Sequence, residues 1–179
     1  FLKDCVFALG VVTGNNEKFL RKEKQDGYKR IISGKEVYPG MIDYSACKYI
    51  LDEPSKYQQK PPMDLFNKKK IVYKFISKRL VTAVDNTGSL TLNSSNFFIL
   101  NDIGVTEEYV SALLNSEAIN SIYMKMNGNP LKVLKKSLQE LPIFVFDLET
   151  QVTIEDNYVN GRHLENEEII NEQIKEILA

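Results

Sequence analysis

The pattern of apolar and polar positions is most regular from Asn67 to Leu100. Ile71 to Ile76 is a β-branched and aromatic run between Lys68-Lys69-Lys70 and Ser77-Lys78-Arg79, and it predicts a strand. Leu80 to Val84 predicts a second strand. Asp85-Asn86-Thr87-Gly88 supplies turn residues, with Gly88 suited to a positive φ, and predicts a hairpin into Leu90-Thr91-Leu92. Asn93-Ser94-Ser95-Asn96 interrupts the pattern before Phe97 to Leu100 closes it. Upstream, Tyr49-Ile50-Leu51 predicts another strand, and a break at Asp52 to Ser55 leads into a short helix through Gln59, ended by Pro61-Pro62. Leu2 to Val12 is apolar but short and interrupted by Gly10, so the pattern leaves it unassigned.

Beyond Gly104 the spacing changes from alternation to a helical repeat. Thr106 is a good N-cap for Glu107-Glu108-Tyr109, and Val110, Leu113 and Leu114 form an apolar stripe. Ser116 caps a second helix with Ile119, Ile122, Tyr123 and Met126 on one face, stopped by Gly128-Asn129-Pro130. Leu131, Leu134 and Leu138 predict a third, short helix, and Ile143 to Phe146 reads as strand-like. Asp147 to Arg162 is acidic and reads as a connection. Asn166 then caps a tail helix whose stripe is Ile169, Ile170, Ile174, Ile177 and Leu178. Such a helix needs a surface to bury that stripe, its own domain or a partner. The elements define an α+β chain: a mixed, largely antiparallel twisted sheet with helices packed on it, plus a C-terminal amphipathic helix. Residues 1–146 form the domain in this division, and 147–179 the acidic connection and terminal helix.

Charge changes this picture more than composition does. Hydrophobic residues at 43% and charged residues at 26% are ordinary for a globular protein, and no apolar run approaches a membrane span, so no membrane partner is expected. The opening residues carry neither an initiator Met nor a signal pattern, which predicts a piece of a longer chain. Two cysteines and one histidine make neither a disulfide framework nor a zinc site, and they point to a reducing cytoplasm. The net charge of −1 hides an asymmetry: residues 1–80 hold 17 Lys/Arg against 9 Asp/Glu, a net of +8, and residues 81–179 hold 6 against 15, a net of −9. The basic half suits a polyanion.

Lys and Arg at strand ends beside loops of Ser and Asn place phosphate-binding cations next to groups able to read base edges. The same lysines would equally protect a sheet edge. The loop Thr13-Gly14-Asn15-Asn16 is either a simple turn or a backbone that approaches a ligand closely at Gly14. Ser33-Gly34-Lys35 lacks the glycine spacing of a Walker A loop. His163, beside the tail helix, reads as a solvated linker residue, and no nucleophile, metal or dinucleotide motif is present. The residues alone describe a binder.

Six segments carry a resemblance in order: G-V-V-T-G-N-N-E-K-F-L at Gly10 to Leu20, R-I-I-S-G-K-E-V at Arg30 to Val37, K-K-I-V-Y-K-F-I-S-K-R at Lys69 to Arg79, A-V-D-N-T-G-S-L-T-L-N-S-S at Ala83 to Ser95, S-A-L-L-N-S-E-A-I-N-S-I-Y at Ser111 to Tyr123, and L-P-I at Leu141 to Ile143. Over residues 2–146 the chain resembles the TaqI-like C-terminal specificity domain, the target recognition domain of adenine-N6 DNA methyltransferases and fused restriction-methylation enzymes. The acidic end lies outside the resemblance. The resemblance implies double-stranded DNA and a methyltransferase domain of the same chain as partners. It also implies no cofactor in this piece, with S-adenosylmethionine and the catalytic N-P-P-Y/F segment in that separate domain. By position in the matched segments it implies Thr13, Asn15, Asn16, Lys35, Lys74, Ser77, Lys78, Arg79, Asn93 and Ser94 at the DNA. A protein-interaction module that docks through its terminal helix is the competing class.

Overall fold

The computed structural model describes residues 2–128 and 130–179. Ten strands, β1 (Val6–Ala8), β2 (Leu20–Arg21), β3 (Tyr28–Ile32), β4 (Val37–Tyr38), β5 (Met41–Ile42), β6 (Lys48–Leu51), β7 (Lys70–Lys74), β8 (Thr82–Asp85), β9 (Leu90–Thr91) and β10 (Ser95–Ile99), are followed by most of the helix. Helix α1 (Asn16–Phe19) lies early, and α2 (Glu107–Asn115), α3 (Glu117–Asn127), α4 (Lys135–Gln139), α5 (Leu148–Val159) and α6 (His163–Leu178) come last. The α+β expectation holds, with the strands divided over two four-stranded sheets, β1-β10-β7-β8 and β2-β6-β3-β9, and a β4-β5 ribbon. Among the described residues these strands pair antiparallel except β3 with β9, and a parallel bridge joins Val11 to Leu92.

The first sheet is the middle layer. Alternation sends Ile71, Tyr73 and Phe98 into a core shared with α2, α3 and α6, while Val72, Ala83 and Phe97 enter a second core with Ile31, Ile50 and Leu90 of the other sheet. Burial on both faces is why Ile71-Val72-Tyr73 reads as an unbroken apolar run rather than an alternating one. The helices begin where their caps predict: Thr106 accepts from Tyr109 N and Ser116 from Ile119 N, and α3 ends at Gly128 in the left-handed region, φ 62°. Asn129 of the predicted stop lies outside the described residues.

Several expectations are corrected. Asp85 to Gly88 does not turn a hairpin: β8 and β9 belong to different sheets, and β9 runs parallel to β3. The turn pattern is local, but Asp85 is fully buried and anchored by Lys70, Tyr44 and Thr87, which sends the chain across to the second sheet. Lys68-Lys69-Lys70 is not a row of exposed cations, since Lys70 is fully buried and Lys69 Nζ lies 2.6 Å from Glu108 and 3.2 Å from Glu107. The short helix before Pro61 is a 3-10 turn at Pro54–Lys56. The third short helix forms as α4 with Leu138 buried, but it starts later than its stripe predicts: Leu131 and Leu134 are exposed, and the chain before it pairs with the end of β7, Val133 N donating to Phe75 O and Ser77 N to Leu131 O. Ile143 to Phe146 forms no strand, and Phe146 is buried edge-on against Tyr109.

The acidic segment 147–162 is the helix α5, capped by Asp147, rather than a connection. Its Ile154 and Tyr158 enter the same core as Ile71, and the Tyr158 hydroxyl accepts from Val84 N at 3.0 Å. The tail helix starts at His163, not after Asn166, whose buried Nδ2 donates to Ile154 O. Ile170 and Ile174 of its stripe are buried in that core, Ile169 packs partly, and Ile177 and Leu178 are exposed. His163 is half-buried between the Tyr158 ring and Gly40, and burial lowers its pKa.

Gly10 is held by a close approach. A Cβ there would lie 2.1 Å from Leu92 O, where the chain passes to bond Val11 N to Thr91 O and Asn93 N to Val11 O. Gly10→Ala is expected to lower unfolding stability by about 1–3 kcal/mol, because backbone on both sides must shift. Urea unfolding monitored by circular dichroism measures it, and an unchanged midpoint would mean the contact is loose.

Candidate nucleic-acid interface

Three loops meet at one end of the second sheet. The first, Thr13 to Asn16, is closed by its own side chains: the Thr13 hydroxyl accepts from Asn15 N and donates to Asn16 Oδ1 at 2.7 Å, and Asn15 Oδ1 caps α1 through Lys18 N. The second, Ser33 to Glu36, is closed by Glu36, whose carboxylate accepts from Ser33 N at 2.7 Å and the Ser33 hydroxyl at 2.5 Å. The third is the turn from Leu92 to Ser95 between β9 and β10, closed by Ser95 N on Leu92 O. The last two lock together, since Gly34 N donates to Ser94 Oγ at 3.1 Å and a Cβ at Gly34 would come within 2.6 Å of Ser94 O.

These loops wall a cleft of about 710 Å³ whose lining includes Asn16, Lys22, Lys35, Lys48, Lys74 and Ser94. Lys22, Lys35 and Lys48 are exposed, and Lys74 is half-buried with Nζ 5.5 Å from the Tyr38 ring centroid. Among the described residues none of the four lysines lies within ion-pair distance of a carboxylate. Other cations of the basic half are paired, Lys29 with Asp52, Lys56 with Glu53, and Lys70 with Asp85, whereas Lys78 is exposed and unpaired among the described residues. Of the carboxylates at the cleft, Glu36 is only 8% exposed and turned into its own loop, whereas Glu17 is exposed. Arg21 is held by the carbonyls of Glu17 and Leu20, at 2.9 and 2.8 Å. The site is therefore a concave surface of unneutralised ammonium groups beside neutral donors and acceptors, an arrangement that attracts polyanions.

Of the residues that the sequence singles out, Asn16, Lys35, Lys74 and Ser94 come together in this cleft. Thr13 is 5% exposed and, with Asn15, holds the first loop in shape. Asn93 is exposed on the turn, and Ser77 and Lys78 follow the end of β7, Lys78 exposed. Arg79 sits elsewhere: its Nη2 donates to Asn115 O, the end of α2, at 2.5 Å, beside a second cavity of about 290 Å³ against α6. Lys22 and Lys48 were missed. Lys22 stands directly after β2 and Lys48 opens β6, and only the pairing of β6 with β2 and β3 brings them to one place. The excess of basic residues in 1–80 was the signal that pointed to them.

The fold and the cleft describe an α+β domain with unpaired cations gathered in a concave surface. The chain belongs to the TaqI-like C-terminal specificity domain family, whose model matches residues 29–143. It is thereby a DNA-recognition module of methyltransferase-type enzymes in restriction-modification, a part that is not catalytic by itself. The match runs from β3 to the segment before α5, so the Thr13 to Asn16 loop and the last two helices lie outside it. No curated protein matches the chain.

Proposed function

We propose that this domain reads a short duplex DNA site, with the cleft of Lys22, Lys35, Lys48 and Lys74 holding the phosphate backbone, so that a separate catalytic domain methylates adenine at N6. The observation that carries the reading is the set of four unpaired lysines in one concave surface. Ammonium groups without carboxylate partners are available to phosphate and would hold the duplex in register, while Asn16 and Ser94, which line the same cleft, carry groups able to read base edges. Chemistry on an adenine requires the base outside the stack, which is work for the catalytic domain. S-adenosylmethionine, the methyl donor of that chemistry, bears a sulfonium cation, and a cleft lined by four ammonium groups does not fit it. The cofactor is therefore assigned to the catalytic domain. Docking through the terminal helix is the weaker reading, because Ile170 and Ile174 of its stripe are spent inside this core.

The test is a salt titration of duplex binding by the full chain, followed by fluorescence anisotropy. Four phosphate contacts give a slope of about −3.6 in log K against log salt concentration. A flat response, or no binding at about 50 mM salt, rejects the reading.

A further inference from the structure

Ile76 lines the cleft but carries no group that could bind phosphate. It is 68% exposed, whereas the other aliphatic residues lining the cleft, Leu20, Ile31 and Leu92, are half-buried or buried. Isolated exposed aliphatics are ordinary on a protein surface, so exposure alone decides nothing. Its mounting is more specific. Phe75 N donates to Ser94 O at 3.1 Å on one side, and Ser77 N to Leu131 O at 3.1 Å and Val133 N to Phe75 O at 2.8 Å on the other. Ile76 itself is bridged to Lys132. The backbone that carries it is thus bonded to two neighbouring segments, and a β-branched side chain adds a restricted χ1. Two residues before it, at the end of β7, Lys74 lines the same cleft, as does Ser94, whose carbonyl accepts from Phe75 N. A stiff aliphatic group is held out between cations at the place where duplex DNA would lie.

Resting on the reading of the cleft as a DNA surface, we infer that Ile76 is a specificity-determining residue that packs on the 5-methyl group of a pyrimidine in the major groove. Thymine presents that methyl group beside its O4 acceptor, and aliphatic contact is how a side chain without hydrogen-bonding groups distinguishes it from cytosine. 5-Methylcytosine presents the same methyl group with an N4 donor in place of O4. The contact is sequence-dependent and independent of salt, which separates it from the lysines.

The experiment selects bound duplexes from a randomised pool with the full chain, then repeats the selection with uracil replacing thymine and with 5-methylcytosine replacing cytosine. Removing one methyl group from a buried contact is expected to reduce affinity about fourfold. Wild type should select thymine at one position, lose about fourfold on the uracil pool, and accept 5-methylcytosine there if the methyl group alone is read. Ile76→Ala should bind the thymine and uracil pools equally, with the same salt slope as wild type. If Ile76→Ala keeps the thymine preference while Lys74→Ala reduces the slope by about 0.9, the DNA reading stands and the role of Ile76 is overturned. If wild type binds no duplex, both fall. A thermal melt of Ile76→Ala that matches wild type shows that the variant is folded, as an exposed side chain predicts.

Discussion

Replacing Lys70 by Met is expected to lower unfolding stability by about 3–5 kcal/mol, since it leaves a buried carboxylate without its cation. Lys70 and Asp85 stand opposite each other on β7 and β8, both fully buried, with Nζ 2.5 Å from Oδ2 and 2.8 Å from Phe66 O. The other carboxylate oxygen accepts from the Tyr44 hydroxyl at 2.7 Å and from Thr87 N and Oγ1. A chain of this length loses roughly 2–4 °C of melting temperature per kcal/mol, so the variant should melt about 6–20 °C lower. Burial pushes the Asp85 carboxyl up, but the charge and hydrogen bond of Lys70, with those of Thr87 and Tyr44, outweigh it and hold the carboxyl below its ordinary value. A carboxyl depressed on folding contributes stability in full above its unfolded pKa of about 3.9, and the contribution is lost as the pH falls through the folded value. Wild type should therefore keep this contribution down to about pH 4 and lose it below, whereas Lys70→Met, whose bare buried carboxylate is costly only when ionised, should lose stability as the pH rises above about 4. Thermal melts at stepped pH measure both effects. A loss under about 1 kcal/mol would mean that water reaches Asp85 and replaces the ammonium group.

Replacing Lys22, Lys35, Lys48 and Lys74 together by Ala is expected to remove nearly all of the salt dependence of DNA binding. Each phosphate contact contributes about 0.9 to the slope, so four of them account for a fall of about 10² in affinity between 50 and 200 mM salt. The quadruple variant should show little of that fall and bind weakly at every salt concentration. None of the four is buried or ion-paired among the described residues, so the melting temperature should stay close to that of wild type. Lys69, paired with Glu107 and Glu108, is the internal control, and Lys69→Ala should leave the slope unchanged. A quadruple variant that keeps the wild-type slope would move the DNA surface away from this cleft. The region after β7 that carries Lys78 would then be the next place to look, since Lys78 is exposed there.

The sequence by itself determined what is local. Thr106 and Ser116 mark helix starts because a hydroxyl at the N-cap satisfies an amide a few residues on, and both caps are made. Ile71-Val72-Tyr73 marks a buried strand because β-branched and aromatic side chains suit a pleated, packed surface. Four cleft residues, Asn16, Lys35, Lys74 and Ser94, were also legible, through segments that keep a recognisable order. What only the tertiary structure decided is which local pieces meet. Asp85 has the composition of a turn residue, and its capture by a lysine 15 positions earlier is invisible to any local pattern. The segment after Asp147 lacks an even apolar stripe, since Leu148, Val152 and Val159 face outward while Ile154 and Tyr158 face the core, so its helix depends on neighbours that supply burial. Arg79 lies five residues from Lys74, yet α2 takes its guanidinium to the helix side and away from the cleft. Lys22 and Lys48 reach the cleft only because β6 pairs with β2 and β3, a contact between distant stretches that no spacing along the chain encodes.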